Sequence, residues 1–299
     1  MITKLLIEQH FHGAYGIDFN KATVKDVLDL AQKIREEGVG GIFPTLVTDT
    51  TENIKKQIQV IKEASQKQHE GAKILGVHIE GIFLNSEKKG IHNAELFLKP
   101  TIENFKLIAD DFIKIVTLAP ELCQDGLIHY LKTKGIKVQA GHCTAGDLTD
   151  CDGVTHTFNA MSGISHRGKT TALTALISDN IYTEVIADGI HVSDDALKLL
   201  FKSKPKDKII LISDSLPCAH SNLKDFIFAG EKIYFDGEKA TSAEGTLAGS
   251  SKLLPDIIKI LGKKEFFNPQ YIENSYTYHN ININGTIEWD EDFNIISIK

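Results

Sequence analysis

The chain has 299 residues, 42% of them hydrophobic and 24% charged, with a formal net charge of −7 at pH 7. That length and apolar share suit one large α/β barrel with a sizeable core. The acidic balance argues against a broad nucleic-acid or membrane-surface role, while leaving room for an anionic small molecule at a locally basic site. "MITKLLIEQHFHG" at the N-terminus lacks the apolar stretch of a signal peptide, and no apolar run approaches 18 residues. Neither export nor a membrane span is therefore expected, and the cytoplasm is the default location. Cys123, Cys143, Cys151 and Cys218 form no CxxC pair and read as free thiols of a reducing compartment.

Strand-like runs alternate with segments of helical period. Residues 4–10, "KLLIEQH", precede a helix over 23–38, where Val24, Val27, Leu28, Ala31 and Ile34 share a face and Gly38 signals the end. A strand at 39–47 leads to a helix over 51–66, opened by Thr51 as N-cap. Strands follow at 72–80, 112–120, 136–142, 153–158, 182–189 and 208–214, with a helix at 193–204 capped by Ser193 and acidic in its first turn. Then come a long loop, the hairpin-like "FIFAGEKIYFDGEKAT" and one more helix, "GSSKLLPDIIKILGKK".

Eight strands, apolar nearly throughout and each followed by a turn or helix, predict an α/β fold of the (β/α)8 TIM type, with a parallel sheet covered on both faces. A doubly wound open sheet shares the alternation, but no GxGxxG follows the first strand and no GxxxxGK[ST] occurs. Residues 1–279 read as the barrel domain, and 280–299 as a short β extension.

In such a barrel the reacting face forms at the C-terminal ends of the strands. His10 and His12 end the first strand, two residues apart and so on the same side. Glu80 closes an apolar run, where an unpaired carboxylate is costly. His142 ends the fifth strand, His156 sits on the sixth, Asp188 and His191 follow the seventh, and Asp214 ends the eighth. Any one of these alone is more often a hydrogen-bonded structural residue. Six of eight strands placing His, Asp or Glu at one end is not explained by capping. Such groups repel and desolvate one another unless a cation sits among them. Imidazole nitrogens with a carboxylate suit Zn²⁺, with Fe²⁺ or another divalent ion as alternatives; Glu80, His142 and His156 are the first ligand set.

The motifs "HFHG", "HIEG…KKGIHN", "GHCTAG", "THTFNAM", "ADGIHVS", "LISDS" and "GTLAGSS" resemble, in this order, those of the N-acetylglucosamine-6-phosphate deacetylase family of the amidohydrolase superfamily, from about residue 7 to residue 255. The resemblance implies a distorted (β/α)8 barrel, a homodimer, a metal at Glu80, His142 and His156, and hydrolysis of the acetamide of a 6-phosphate sugar. This chain also keeps His10 and His12, which leaves one ion or two, bridged by Glu80, open. It departs from the family in a reduced small β domain, in Ile82 where relatives commonly carry proline, and in "GKT" after Arg167.

The resemblance also implies roles. Asp214 is the general base that later gives its proton to the amine, and His92 stabilises the oxyanion. Ile91, Asp188, His191, Leu247, Ala248 and Gly249 fall among the substrate contacts, with His191 on a sugar hydroxyl or the carbonyl. Arg167, reaching the neighbouring subunit's site, binds the phosphate with help from Asn159 and Ala160. Rival readings are a deacetylase of another acylated amino-sugar phosphate, such as the galactosamine epimer, or an inert sugar-phosphate-binding barrel.

Overall fold

Apolar β-branched runs become strands wherever both faces can be buried, and here that happens eight times around one axis. The computed structural model describes residues 1–299. After a short β1 (Ile2–Lys4) come β2 (Leu6–Phe11), β3 (Val39–Val47), β4 (Val77–Glu80), β5 (Ile113–Leu118), β6 (Lys137–Ala140), β7 (Gly153–Val154), β8 (Tyr182–Val185) and β9 (Ile209–Leu211). Strands β2 to β9 lie side by side in chain order, every adjacent pair parallel.

The two edges meet. Asp214 N–H donates to His10 O at 2.9 Å, and His12 N–H donates to Ser215 O at 2.8 Å. The buried Glu8 carboxylate accepts from Ser213 N–H at 3.1 Å across the same seam, and from His10 N–H at 3.2 Å on its own strand. The sheet is thus closed, but by isolated bonds rather than a ladder, and β7 is only two residues long. Those two features make the barrel a distorted one.

Helices cover the outside: α1 (Val24–Glu36), α2 (Thr51–Lys67), α3 (Ile102–Lys106), α4 (Leu127–Thr133), α5 (Thr171–Ile177), α6 (Asp194–Ser203), α7 (Leu254–Lys263) and α8 (Gln270–His279). α1 starts with a reciprocal capping box between Thr23 and Asp26 and buries Val27, Leu30, Ala31 and Ile34. The N-cap of α2 is Thr50, not Thr51: Thr50 keeps an extended backbone and its side chain accepts from Asn53 N–H. α8 has no counterpart in the sequence reading. Its inner face carries Tyr271, Asn274, Ser275, Tyr276 and Tyr278, so polar atoms dilute the apolar period. Two of them are matched across the barrel wall: Asn274 Nδ2 donates to Ile209 O at 2.6 Å, and Tyr276 Oη donates to Leu5 O at 2.8 Å, pinning α8 over the β2–β9 seam, while Tyr278 Oη is buried without a partner.

Between β9 and α7 an antiparallel flap is inserted, formed by β10 (Asp225–Phe228), β11 (Glu231–Phe235) and β12 (Ala240–Ser242). It buries Phe228 and Ile233 against Val47, Ile91 and Leu216, at the C-terminal mouth of the barrel. Near the C-terminus, β13 (Thr286–Trp289) pairs with both β14 (Ile295–Ile298) and β1. Trp289 anchors this small sheet, its Nε1 donating to Thr3 Oγ1 at 2.9 Å. No helix is long and apolar enough to cross a membrane.

Candidate metal centre and active site

Three of the strand-end residues turn abruptly out of the sheet. His142, His156 and Asp214 have φ of 47°, 30° and 52°, a left-handed conformation that costs a non-glycine residue roughly 1–3 kcal/mol. The turn brings their side chains into one mouth. Gly249 runs directly beneath: a Cβ there would meet Asp214 O at 2.7 Å, so only glycine lets the two segments pass.

Glu80 stands at the centre. Its Oε1 lies 2.9 Å from His156 Nε2 and 3.3 Å from His142 Nε2. Its Oε2 lies 3.1 Å from His12 Nε2 and 3.4 Å from His10 Nε2. Asp214 Oδ1 completes the second group, 3.2 Å from His12 Nε2 and 3.4 Å from His10 Nε2. Two buried sets of donor atoms result, Glu80–His142–His156 and His10–His12–Glu80–Asp214, the atoms of each within 4.8 Å of one another.

Hydrogen bonding behind two of the rings, His142 and His10, orients them; the rear Nδ1 atoms of His12 and His156 have no partner. His142 Nδ1 donates to Lys88 O at 2.8 Å, which leaves the Nε2 lone pair facing His156 Nε2 at 3.1 Å. His10 Nδ1 faces Glu184 Oε2 at 3.2 Å, and His10 Nε2 has no hydrogen-bond partner although it is fully buried. Burial works against charge on His10, yet Glu80 and Asp214 hold its pKa well above the usual value. For His12 burial is likewise outweighed, by hydrogen bonds it donates to Asp214 and Glu80, and its pKa rises to about 8. Burial would raise Glu80, but His10 and the surrounding imidazoles keep it well below the usual carboxylate range. A field that holds protons on buried imidazoles is one that a divalent cation answers by displacing them. The orphaned nitrogen, the crowded lone pairs and the mixed N/O donors all fit such an ion.

Above this floor opens a cavity of about 360 Å³. His12, Glu80, Ile91, His92, His142, His156, Asn159, Ala160, His191, Asp214, Leu247 and Ala248 all line it. His10 lies behind them. Asp188 does not line the cavity; its Oδ2 accepts from His191 Nδ1 at 2.8 Å and from Ser250 Oγ at 2.9 Å, so it sets the His191 ring. Burial opposes charge on that pair, but the contact lowers Asp188 to about 2 and raises His191. Gly249 sits below the wall. Arg167 is on an exposed loop, its Nε donating to His166 Nε2 at 3.0 Å, and stays outside the cavity of its own chain. Ile82 has φ of 59°, which a proline ring cannot reach, so this turn differs from one carrying proline.

Several neighbours of the site were not singled out from sequence. Thr48 Oγ1 is 2.7 Å from His92 Nδ1, and the Phe228 ring meets the His12 ring edge-on with centroids 5.0 Å apart. Glu184 lies mid-strand in "YTEVIADG", a buried acid in an apolar run, the same signal that marked Glu80. His78, pushed down to about 3 chiefly by burial, bonds Thr117 Oγ1 at 2.8 Å inside the barrel and takes no part in the mouth.

A closed (β/α)8 barrel with paired imidazole–carboxylate sets at its C-terminal mouth is the architecture of a metal-dependent hydrolase. Relatives narrow the class. Over 261 residues the chain is 36% identical to the N-acetylglucosamine-6-phosphate deacetylase of Bacillus subtilis, a match covering 82% of this chain and 65% of that protein, just under two thirds. It is 32% identical over 259 residues to the N-acetylgalactosamine-6-phosphate deacetylase of Escherichia coli O157:H7, covering 82% of this chain and 68% of that one. With the N-acetylglucosamine-6-phosphate deacetylase of Haemophilus influenzae it shares 30% identity over 270 residues, 86% of this chain and 70% of that one.

The chain therefore belongs to the N-acetylglucosamine-6-phosphate deacetylase family. The crystal structure of the Pasteurella multocida deacetylase superposes with a TM-score of 0.90 at 27% identity, covering all of this chain and 84% of that one. The fold also matches, at TM-score 0.90 and 21% identity, a Mycobacterium smegmatis deacetylase mutant in complex with N-acetyl-D-glucosamine-6-phosphate; the match covers 100% of this chain and 85% of that one. No protein-family model matches the chain.

Proposed function

We propose that the protein is a cytoplasmic, metal-dependent deacetylase that hydrolyses N-acetyl-D-glucosamine 6-phosphate to D-glucosamine 6-phosphate and acetate. The observation that carries this reading is Glu80, whose two oxygens face two separate imidazole sets at the floor of a sugar-sized cavity. Glu80, His142 and His156 would hold one divalent ion; His10, His12 and Asp214, sharing Glu80, would hold a second. The mixed imidazole and carboxylate donors suit zinc. When bound, such ions supply Lewis acidity toward the acetamide carbonyl and acidify the attacking water.

The chain's own groups do the rest. Asp214 takes the proton of the water and delivers it to the leaving nitrogen, so that the amine departs neutral. His92 is held in its neutral form chiefly by burial. Thr48 Oγ1 accepts from Ile82 N–H at 3.2 Å and has its own proton to give to His92 Nδ1, which leaves the imidazole N–H on Nε2, toward the cavity. That N–H stabilises the oxyanion. His191, fixed by Asp188, addresses a sugar hydroxyl. Asn159 and Ala160 meet the phosphate through the backbone, while Ile91, Leu247 and Ala248 flank the sugar.

Arg167 lies outside its own cavity, and that placement supports its serving the site of a neighbouring subunit in a homodimer. The sugar-phosphate complex of the Mycobacterium relative and the activities of the relatives above support the substrate class. The Escherichia relative, named for the galactose epimer, makes that sugar the second substrate to assay. Acetate release from both epimers, with metal content measured on the same sample, tests the proposal; no metal-dependent release from either would refute it.

A further inference from the structure

We infer that Glu184 is a positioning residue shared by both halves of the metal centre, its one carboxylate setting the ring of His10 and the main chain of His156. The inference rests on the two-ion reading above. Glu184 sits in the middle of β8, fully enclosed beneath the mouth. Its Oε1 accepts from Gln9 Nε2 at 2.6 Å and Gln139 Nε2 at 3.0 Å. Its Oε2 faces His156 N–H at 3.4 Å and His10 Nδ1 at 3.2 Å.

The two amides cannot turn over freely. Gln9 Oε1 is 2.9 Å from His279 Nε2, and Gln139 Oε1 accepts from Thr155 Oγ1 at 3.1 Å. Three of the four neighbours are therefore donors by chemistry, and only an acceptor-only group suits them all. The fourth, His10 Nδ1, follows: it carries the hydrogen, and its Nε2 lone pair is aimed between Glu80 and Asp214, 3.4 Å from each. The same oxygen holds the main-chain N–H of His156, whose left-handed backbone needs an anchor. A glutamine in place of Glu184 brings an NH₂ into this ring of donors. Turned toward His10, it drives the hydrogen onto Nε2 and removes a ligand atom.

The test is zinc titration of the metal-stripped full chain against a chromophoric chelator, for wild type, E184Q, E184D and Q139L. Gln139 touches Glu184 and the barrel network but no ligand in either set. E184Q should bind the ion at His10, His12 and Asp214 about 10–100-fold more weakly, the cost of losing an outer-shell partner. E184D, still acceptor-only, should recover part of that loss, and Q139L, which removes one donor to Oε1 but leaves Oε2 on His10, should lose less than E184Q. Wild-type affinities in E184Q overturn the assignment; so does a loss in Q139L equal to that in E184Q, which would make the effect one of barrel packing. If E184Q does not fold, E184D decides, and affinity equal to wild type overturns it. A wild type that takes a single ion removes the two-ion reading; Glu184 then stands if E184Q weakens that ion more than Q139L does, and falls otherwise.

Discussion

His92 Nδ1 lies 2.7 Å from Thr48 Oγ1, and Thr48 in turn accepts from Ile82 N–H. In the proposed mechanism Thr48 gives its hydroxyl proton to Nδ1, and His92 carries its N–H on Nε2. Replacing His92 with Asn should lower kcat by about 10²–10³-fold, the usual worth of one oxyanion donor, with bound metal unchanged. Thr48→Val should act in the same direction but less, since it frees the tautomer without removing the ring. Steady-state kinetics on both variants checks this, and wild-type kcat in the His92 variant would exclude the role.

Asp214 lines the same mouth as His92, with a left-handed backbone and its N–H tied to His10 O. Asp214→Asn should reduce kcat by roughly 10²–10⁴-fold, the range for a positioned acid–base group, while the ion at Glu80, His142 and His156 is kept. Rates and metal content measured together separate proton transfer from loss of a ligand. Undiminished turnover would show that another group handles the proton.

Arg167 is exposed in its own subunit. Arg167→Ala should raise KM for the phosphorylated sugar far more than for the unphosphorylated one, by roughly tenfold or more if about 1.5–3 kcal/mol of charge-assisted hydrogen bonding is lost. Equal losses on both sugars would remove the phosphate contact.

A second histidine predicts pH behaviour well away from the metal centre. His220 Nε2 is 2.8 Å from Asp256, and its Nδ1 is 3.4 Å from Glu37 and 3.3 Å from Tyr15 Oη, tying the loop after β9 to α1 and α7. Asp256 first, then Glu37, raise its pKa to about 10 against the partial burial that opposes them. Lys33, over the Tyr15 ring, is the nearby cation. Because the folded value is the higher one, the stabilisation is complete below the unfolded pKa of about 6.5 and is lost as pH rises toward 10. Denaturant midpoints should fall across that window, modestly because the group is partly exposed. In His220→Gln this fall should flatten; an unchanged slope would acquit the clamp.

Much of this was legible in the residues. Apolar β-branched runs that stop on His, Glu or Asp announce both a parallel barrel and its reacting end, because the C-terminal ends of the strands are where such groups can meet a substrate or an ion. Glu80, His142, His156, His12 and Asp214 meet as that rule implies. What sequence hid is instructive in each case. α8 presents tyrosines and an asparagine inward, which only tertiary hydrogen bonds make favourable. Glu184 breaks the strand-end rule because its partners are two glutamines from other strands. Phe228 reaches His12 from a flap whose place over the mouth depends on packing against Ile91 and Leu216.

The most direct measurement is acetate release from N-acetyl-D-glucosamine 6-phosphate by the purified chain before chelation, after chelation, and after zinc is returned, with bound metal quantified at each stage. Activity should disappear with the metal and return with it, at about two ions per chain. Acetate release that survives complete removal of the metal, or a chain that takes up no divalent ion, would contradict it.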